Sequence, residues 1–408
     1  MERHNAYLWF IFPFFVFPLY TFSQTPIEWN GVTYQPKELP QYHPPLNNAP
    51  NFPIQYHAAS QTAEIITDTA AITTFEQLTG YNPLTQQSGL TEIDLPQGQG
   101  RVFSNLSLIN NTQDYPWSAN VKIFMTFPSG GNYVCSGSMI DPKHVLTAGH
   151  CVYDAAEGGW ASEIFVVPGF NDFEAPFGPR TATNWGSWAG WTTNEDFDWD
   201  MGYIELDQPV GALSGWFGMH YNNSNSFYTS NTFNNAGYPS ASPYDGLFQY
   251  FWVGNYDYVI DQVLYHNNIA YGGQSGSNTY HINSSNDRIV HSVLSHGNDA
   301  VPYTGHVRIN STKFNDVVNF MNNHIPSTYD LTPLNTRVAP GSVAAGAYLT
   351  DLRFLVHNYS AASFSGAVSV SVYLSTNSTI SDQDILIGTL NFNNANLGAK
   401  ASSNFFVS

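Results

Sequence analysis

The chain has 408 residues, of which 42% are hydrophobic and 15% aromatic, enough apolar material for packed cores in roughly two to four domains. Only 11% of the residues are charged, and 31 Asp and Glu against 12 Lys and Arg give a formal net charge of −19. This acidic balance argues against binding to nucleic acid or to an anionic membrane surface.

Residues 1–24 are typical of a signal peptide. A short basic start precedes an apolar run over residues 8–20, after which the chain becomes polar. The alternative is a membrane anchor, but Pro13 and Pro18 interrupt the run, which is shorter than the ~20 residues that a spanning helix needs. We therefore predict a secreted, extracellular protein that has no membrane contact in its mature form.

Residues 25–100 are rich in Pro, Gln, Asn and Thr and show little periodicity. This composition indicates an extended, loosely structured segment. A pro-region and a disordered linker would both have it, and the sequence does not choose between them. If the segment is a pro-region, the protein is a zymogen, and removal near Gly100-Arg101-Val102 is expected.

From residue 101 to 325 the pattern changes to short apolar runs separated by Gly, Pro, Asn and Asp. Residues 121–127 alternate in the manner of a strand, and similar runs follow without intervening helices, which predicts an all-β barrel or sandwich. One helix is predicted near the end of this stretch. Its start would be capped by Asn310 or Ser311, and its apolar residues recur at helical spacing: Phe314, Val317, Val318 and Met321.

Residues 326–340 contain several prolines and are predicted to be a linker. Residues 341–408 alternate again, as expected for a second β-domain. The sequence stops at Ser408 within a strand-forming stretch, which leaves open whether this last domain is complete.

Three segments together indicate nucleophilic catalysis. His150 stands in Thr-Ala-Gly-His-Cys, Asp200 in Asp-Phe-Asp-Trp-Asp-Met-Gly, and Ser275 in Gly-Gly-Gln-Ser-Gly. A serine nucleophile needs an adjacent base, and the base needs an orienting carboxylate. The glycines permit a tight turn in which the N–H groups of Gly273 and Ser275 would form an oxyanion hole.

Each of these residues also has an ordinary interpretation. His150 would serve as a packed core histidine, Asp200 as a turn cap, and the Ser275 segment as a glycine-rich loop. Asp196 and Asp198 are rivals for the role of Asp200. All three segments in this order favour catalysis, and their order alone leaves the choice among the three carboxylates open.

The chain has two cysteines, Cys135 and Cys151, and the second follows His150 directly. Export from the cell favours a disulfide between them, which would hold the histidine in place. Two free buried thiols are the alternative.

With these motifs, residues 101–325 resemble a chymotrypsin-fold serine protease of the bacterial glutamyl-endopeptidase-like branch. Further segments carry the resemblance: Asp114-Tyr115-Pro116-Trp117, Val167-Pro168-Gly169-Phe170-Asn171, Gly237-Tyr238-Pro239 and Ser295-His296-Gly297. The resemblance implies two six-stranded antiparallel β-barrels with a C-terminal helix, and His150, Asp200 and Ser275 in the cleft between the barrels. It also implies a trypsin-like serine endopeptidase that forms an acyl-enzyme on protein or peptide substrates and uses no metal or cofactor.

The same resemblance suggests which residues contact the substrate: Ile269, Ala270, Ser295 and His296. Trypsins have an Asp six residues before the serine, where this chain has Ile269, so a preference for Lys or Arg is not expected. Glutamyl endopeptidases use a hydroxyl five residues before the serine and a histidine on the edge strand. Here the first position is Ala270, and His296 is offset by one residue, which on a strand reverses the direction of a side chain. A preference for Glu or Asp is therefore a hypothesis, whose alternative is that His281, His291, His296 and His306 are ordinary strand histidines.

Activation is expected to differ from that of animal trypsins. Those enzymes place an Asp just before the serine, where it pairs with a newly freed N-terminus. Here the position holds Gln274, which cannot form that ion pair.

Residues 341–408 resemble a bacterial cell-adhesion-related, immunoglobulin-like β-sandwich, on the segments Val372-Tyr373-Leu374-Ser375-Thr376-Asn377 and Ser381-Asp382-Gln383-Asp384. The resemblance implies that this module binds a surface or a partner, or acts as a spacer. A catalytically silent adhesion or binding protein built on a protease fold is the alternative function for the whole chain.

Overall fold

The computed structural model describes residues 26–67, 78–83, 106–298, 303–339, 351–374 and 381–407. The expected signal peptide and the expected processing site at residues 100–102 lie outside the described residues. Among the described residues, no helix has the length and apolarity needed to cross a bilayer.

The strands of the N-terminal half are, in chain order, β1 (Ile27–Trp29), β2 (Val32–Pro36), β3 (Pro53–His57), β4 (Thr62–Ile65), β5 (Ser107–Leu108), β6 (Asn120–Thr126), β7 (Asn132–Met139), β8 (His144–Thr147), β9 (Tyr153–Asp154), β10 (Gly159–Trp160), β11 (Glu163–Pro168), β12 (Arg180–Trp188) and β13 (Gly202–Leu206). Short helical turns interrupt them: Trp117–Ala119, Gly149–Cys151, Ala155–Glu157, α1 (Ala189–Thr192) and Phe197–Trp199.

The strands of the C-terminal half are β14 (Gly218–Met219), β15 (Phe233–Gly237), β16 (Tyr250–Gly254), β17 (Tyr258–Ile260), β18 (Val263–His266), β19 (Asn278–Ile282), β20 (Arg288–Asn298), β21 (Tyr303–Arg308), β22 (Leu331–Ala339), β23 (Asp351–Asn358), β24 (Phe364–Leu374), β25 (Ile385–Leu397) and β26 (Ala401–Val407). The helices here are α2 (Gly211–Ser214), α3 (Asn225–Ser230) and α4 (Ser311–Asn323).

The first barrel is a closed ring of six antiparallel strands in the order β7-β6-β11-β12-β13-β8, and β7 and β8 pair to close it. Its interior is apolar because alternate residues of each strand point inward. In β6 these are Val121, Ile123 and Met125, which are all buried in the main core cluster. The predicted strand alternation is therefore confirmed, and so is the chymotrypsin-like, mainly β fold.

The second barrel contains six strands in the antiparallel order β16-β15-β19-β20-β21-β18. The pairings among the described residues leave this array open between β16 and β18. Helix α4 follows it and confirms the predicted helix, with Phe314, Val317, Val318 and Met321 all buried. Of the two candidate caps, Asn310 acts, because its side-chain oxygen accepts a hydrogen bond from the Lys313 N–H at 2.9 Å.

Residues 26–67 differ from the expected loose segment, because they contribute strands to the first barrel. Strand β2 adds to β7 in parallel, and β3 adds to β12 in the antiparallel sense. The Trp29 ring stacks on Phe124 at 5.5 Å, on the outer face of the barrel. A sequence pattern does not reveal such a segment, since its few apolar residues bury against a surface that the rest of the chain supplies.

The expected linker at 326–340 also differs, since residues 331–339 form β22 and pair with β23. The C-terminal part consists of a three-stranded sheet, β22-β23-β26, and a ribbon of β24 and β25. They pack around a small apolar cluster that includes Phe354, Val356 and Leu397. The immunoglobulin-like architecture of this part stays a prediction.

A buried polar joint connects this part to the first barrel. The Tyr359 hydroxyl donates to Asp141 Oδ2 at 3.1 Å, and Asp141 Oδ1 lies 2.8 Å from His144 Nδ1. Burial opposes the charge of Asp141, but the contact with His144 outweighs it and lowers the pKa of Asp141 below its ordinary value. His144 begins β8 and His150 follows the end of the same strand, so the joint and the candidate base lie at opposite ends of β8.

Candidate active site

His150 lies in the short helical turn Gly149–Cys151, directly after β8. Cys135 and Cys151 form a disulfide, so the alternative of two free thiols was wrong. The bond ties the turn to β7 and places the histidine backbone beside a rigid strand of the first barrel.

Asp200 is fully buried and receives hydrogen bonds from both barrels. Its carboxylate accepts from the His150 backbone N–H at 2.8 Å and lies 2.9 Å from His150 Nδ1. The Ser295 hydroxyl, on β20 of the second barrel, donates to Asp200 Oδ2 at 2.6 Å. Because an ionised carboxylate only accepts, Nδ1 carries the ring hydrogen, and Nε2 of a neutral His150 is left as a base.

The pKa of Asp200 reflects the same contacts. Burial alone would raise it, but the attraction of His150 and the hydrogen bonds from His150 and Ser295 together lower it below the ordinary value. The carboxylate is thus held ionised in the interior.

The rival carboxylates have other partners. The Asp198 side chain accepts a hydrogen bond from the Gln262 N–H at 3.1 Å, and Asp196 caps the turn by accepting from the Asp198 N–H at 3.0 Å. Burial and the neighbouring charge of Asp196 raise the pKa of Asp198 to about 6. Among the three, it is Asp200 that contacts His150.

Ser275 lies in a loop that is fastened to the first barrel. The Ser136 N–H donates to the Ser275 carbonyl at 2.8 Å, and the Ser136 hydroxyl donates to the Gly273 carbonyl at 2.9 Å. Gln274 is buried, and its side-chain oxygen accepts from the Tyr271 N–H at 2.8 Å. The neutral side chain of Gln274 thus closes the Ser275 loop at the position where animal trypsins have an Asp that forms an ion pair.

Two reactive atoms of the site have no hydrogen-bond partner among the described residues. They are Ser275 Oγ and His150 Nε2, and both are buried. Nucleophile and base are often further apart in free enzymes than in substrate complexes. The segments that carry these two unsatisfied atoms are neighbours, since Cys151 Sγ lies 3.8 Å from the Ser275 carbonyl oxygen. Unsatisfied buried polar atoms are costly to a fold, and such groups concentrate at functional sites.

Gly273 has φ of +88°, a conformation that favours glycine, and a Cβ at this position would lie 2.5 Å from Ser240 Oγ. Its N–H is directed into the cleft. There it donates to the carbonyl oxygen of Lys37 at 3.0 Å. The Gly273 N–H, which is an expected donor of the oxyanion hole, is thus bonded to the N-terminal segment. The sequence did not predict that this segment would lie in the cleft.

The residues expected to contact substrate are dispersed. Ile269 is 56% exposed and does not form a buried pocket floor. The preceding residue, Asn268, is the buried one, and its carbonyl accepts a hydrogen bond from the Thr304 hydroxyl. Ala270 is half-buried beside it. The Ser295 hydroxyl faces Asp200 and not the cleft.

His296 is buried at the cleft, and both of its ring nitrogens have protein neighbours. Nδ1 lies 3.0 Å from the Ser295 hydroxyl, and Nε2 lies 3.4 Å from the Tyr265 hydroxyl. Burial lowers the pKa of His296 to about 4, against the opposing effect of the Asp200 charge. The ring is therefore neutral at physiological pH.

The other histidines do not form one cluster with His296. His306 pairs with His266, their Nε2 atoms 2.9 Å apart inside the second barrel. His291 packs against Phe227 at a ring distance of 4.9 Å, and His281 lies 5.5 Å from the same ring. His291 and His306 are thus buried core side chains of strands and His281 is a half-buried one, as in the alternative interpretation.

A cavity of about 590 Å³ lies beside His150, on the first-barrel side of the cleft. Its walls include His150, Trp191 and Phe197 from the first barrel region and residues 35–41 from the N-terminal segment. Trp191 and Phe197, which sequence reasoning did not identify, form an aromatic wall whose ring centroids are 5.5 Å apart.

One group of potential metal ligands occurs among the described residues, namely Cys135, His150 and Cys151, whose ligand atoms lie within 4.8 Å of one another. Both sulfurs belong to the disulfide and are not thiolates, and His150 Nδ1 is held by Asp200. The donor set does not fit a metal ion.

Residues 109–216 match the family model described as Trypsin, and this stretch contains His150 and Asp200. The chain carries a trypsin-like domain. An extracellular metalloprotease of Bacillus subtilis is 30% identical over 215 residues, which cover 51% of this chain and 65% of that protein. A glutamyl endopeptidase of Bacillus licheniformis is 32% identical over 223 residues, which cover 52% of this chain and 66% of that protein. The matched part thus spans slightly less than two thirds of either relative.

Solved structures are similar as well. A Glu endopeptidase in complex with MPD is 21% identical, with a TM-score of 0.46, over 53% of this chain and 96% of that chain. The protease Anisep of Arthrobacter nicotinovorans is 23% identical, with a TM-score of 0.45, over 53% of this chain and 100% of that chain. The family match and the Bacillus licheniformis relative support the resemblance of this domain to chymotrypsin-fold serine proteases of the glutamyl-endopeptidase type.

Crowding around the serine loop gives a first prediction. Gly276 has φ of +81°, and a Cβ there would collide with the Ser136 carbonyl and the Thr147 hydroxyl. Gly31 has a similar φ of +79° but no atom within 4 Å of such a Cβ. We expect Gly276→Ala to lower the free energy of unfolding by about 3 kcal/mol or more and Gly31→Ala by only about 1 kcal/mol, as measured by urea denaturation. Equal losses would show that backbone strain alone acts at both positions.

The buried carboxylate gives a second prediction, on pH. Because folding lowers the pKa of Asp200, its contacts stabilise the fold fully above the pKa of an unfolded Asp, about 3.9, and this stabilisation is lost as pH falls through the lower folded pKa. Wild-type protein should therefore lose more stability between pH 5 and pH 2 than Asp200→Asn does. Urea midpoints across this range measure the difference, and parallel curves would contradict it.

Proposed function

We propose that the protein is a secreted serine endopeptidase in which Ser275 is the nucleophile, His150 the general base and Asp200 the residue that orients the base. The proposal is carried by one observation. The buried Asp200 carboxylate holds His150 by Nδ1, so that the second nitrogen, Nε2, is left as an acceptor, and the next residue, Cys151, places its Sγ 3.8 Å from the Ser275 carbonyl oxygen. The trypsin family match and the two protease relatives support the same activity.

In this mechanism His150 Nε2 removes the proton of the Ser275 hydroxyl while Oγ forms a bond to the substrate carbonyl carbon. The N–H groups of Gly273 and Ser275 stabilise the oxygen that becomes negative. His150 then gives its proton to the departing amine as the C–N bond breaks, and an acyl-enzyme remains on Ser275. Water, deprotonated by His150, releases the acid product, and Asp200 stabilises the transient imidazolium.

A fluorophosphonate probe tests the nucleophile directly, because it reacts with activated serines. We expect wild-type protein, freed of inhibitory contacts as described below, to be labelled at Ser275. Ser275→Ala should remove the label and lower kcat on a peptide substrate about a million-fold. Ser277→Ala, two residues further along the loop, is the matched control and should keep the label. A mass-spectrometric label at another serine, or none in any state, would contradict the proposal and favour a silent binding protein.

The finer proposal is a preference for Glu or Asp before the scissile bond. The 32% identical glutamyl endopeptidase supports it, and so does the position of His296, whose ring lies 4.5 Å from that of Phe197 in the wall of the cavity. Hydrolysis of a peptide series that varies only this residue measures it. We expect kcat/KM for Glu to exceed that for Phe at least about tenfold, and His296→Leu to remove the difference. Equal rates for Glu and Phe in wild-type protein would refute the preference without affecting the proposed chemistry.

A further inference from the structure

Residues 35–43 cross the cleft between the barrels, and we call this segment the strap. It begins on the first barrel, where the Lys37 N–H donates to the Val134 carbonyl on β7 at 3.0 Å. The carbonyl of the same Lys37 accepts from the Gly273 N–H, in the loop of Ser275, at 3.0 Å. One residue of the strap thus bonds to both barrels beside the reactive groups.

Further along, the strap pairs with the strand on the other side of the cleft. The Gly297 N–H donates to the Pro40 carbonyl at 3.1 Å, and the Tyr42 N–H donates to the Gly297 carbonyl at 3.3 Å. Addition of an extended segment to an exposed strand is a common way for proteins to bind a peptide. Both backbone groups of Gly297 that a bound peptide would use are therefore engaged.

Two side chains anchor the strap. Lys37 Nζ lies 2.6 Å from Asp154 Oδ2 and 4.1 Å from the centre of the Tyr133 ring, and its side chain is 8% exposed. The Tyr42 ring lies 5.6 Å from Phe197 and 5.7 Å from His296. A partly buried hydrogen bond between charged groups, such as that of Lys37 with Asp154, contributes more to stability than an exposed one.

The register of the strap is unlike that of a substrate. The residue whose carbonyl meets the oxyanion donor should direct its side chain into the second barrel, between the loop before Ser275 and β20. The Lys37 side chain instead turns to Asp154 and Tyr133, which belong to the first barrel. The strap also pairs in parallel at both of its ends, with β7 and with Gly297.

We propose that the strap is a built-in inhibitor: it occupies the cleft in a register that blocks substrate and is not itself cut at Lys37–Glu38. The proposal rests on the proposed function and describes its regulation. The strap is tethered on both sides, by the β1–β2 hairpin and by β3 on β12, so its effective concentration at the cleft is high even though each contact is modest. Residues 44–50, between the strap and β3, are all exposed, and in their middle Leu46 and Asn47 donate to the carbonyls of Asn194 and Thr193. Cleavage in this stretch would remove one tether and open the cleft.

The test compares fluorophosphonate labelling rates at Ser275 in the full chain. Lys37→Met keeps the alkyl chain but removes the ion pair, and we expect it to raise the labelling rate about tenfold. A recognition site for a specific protease, inserted within residues 44–50 and cut after folding, should raise the rate at least as much. Glu64→Gln is the matched control, since it removes a charged contact with His57 in the same segment but away from the cleft, and should label like wild type.

Hydrogen exchange of the peptides that contain Gly273 and Gly297 gives a readout that does not depend on activity. Protection in the intact chain that is lost in Lys37→Met and in the cut chain supports the strap. Equal labelling rates in all forms would overturn the strap as an inhibitor and leave the proposed enzyme intact. If no form of the chain is labelled by the fluorophosphonate, the proposed function fails. Fast hydrogen exchange at Gly273 and Gly297 in the intact chain would overturn the proposal that the strap occupies the cleft. Appearance of a new terminus at Glu38 during incubation would show that the strap is a substrate and refute the non-productive register.

Discussion

The buried carboxylate of Asp200 joins the two barrels through hydrogen bonds. It follows the last turn before β13 of the first barrel, where it accepts from the backbone and ring of His150, and it accepts from Ser295 on β20 of the second barrel. An ionised group buried without such donors would cost several kcal/mol, so the barrels are stable together in the arrangement that supplies all of them. The orientation of His150 is a consequence of this arrangement.

The serine loop depends on a second set of contacts between the barrels. Ser136, on β7, donates to the carbonyls of both Ser275 and Gly273, and the Gly276 N–H donates to Leu294 on β20. These bonds fix the loop carbonyls away from the cleft and leave the Gly273 N–H directed into it. A rigid polar loop of this kind is what electrostatic stabilisation of a transition state requires.

The N-terminal segment completes the first barrel and also closes the cleft, and the two roles have one physical origin. Strands β7 and β12 extend beyond some of their partners in the closed ring, and β2 and β3 pair with those parts. The barrel also has an apolar outer face, which includes Phe124 and Phe170, and Trp29 covers both rings. Once β2 has added to β7 and β3 to β12, the chain between them has to pass the cleft. Its backbone then satisfies the polar groups of Gly273 and Gly297 that a peptide substrate would otherwise satisfy.

Local motifs were sufficient to predict His150, Asp200 and Ser275 as one set, because their order and neighbouring glycines and cysteines carry information within short windows. The same holds for helix α4, whose apolar spacing and Asn310 cap are local features, and for the alternation in β6. Specificity was harder to predict, since His296 was assigned from a strand register that shifts by a bulge between Leu294 and His296. A shift of one residue on a strand exchanges its two faces, and no local pattern reports it.

The sequence by itself determined the chemistry of the candidate site and the all-β character of the chain, because both depend on residue types at short range. The tertiary structure alone decided that Ser295 donates a hydrogen bond to Asp200 and that His306 belongs to the core. It also decided that the Lys37 carbonyl accepts a hydrogen bond from the Gly273 N–H in the cleft. These contacts join residues far apart in the chain. They form only because barrel closure and strand addition bring those residues together, and the free energy that selects them comes from burial and hydrogen bonding of the whole fold.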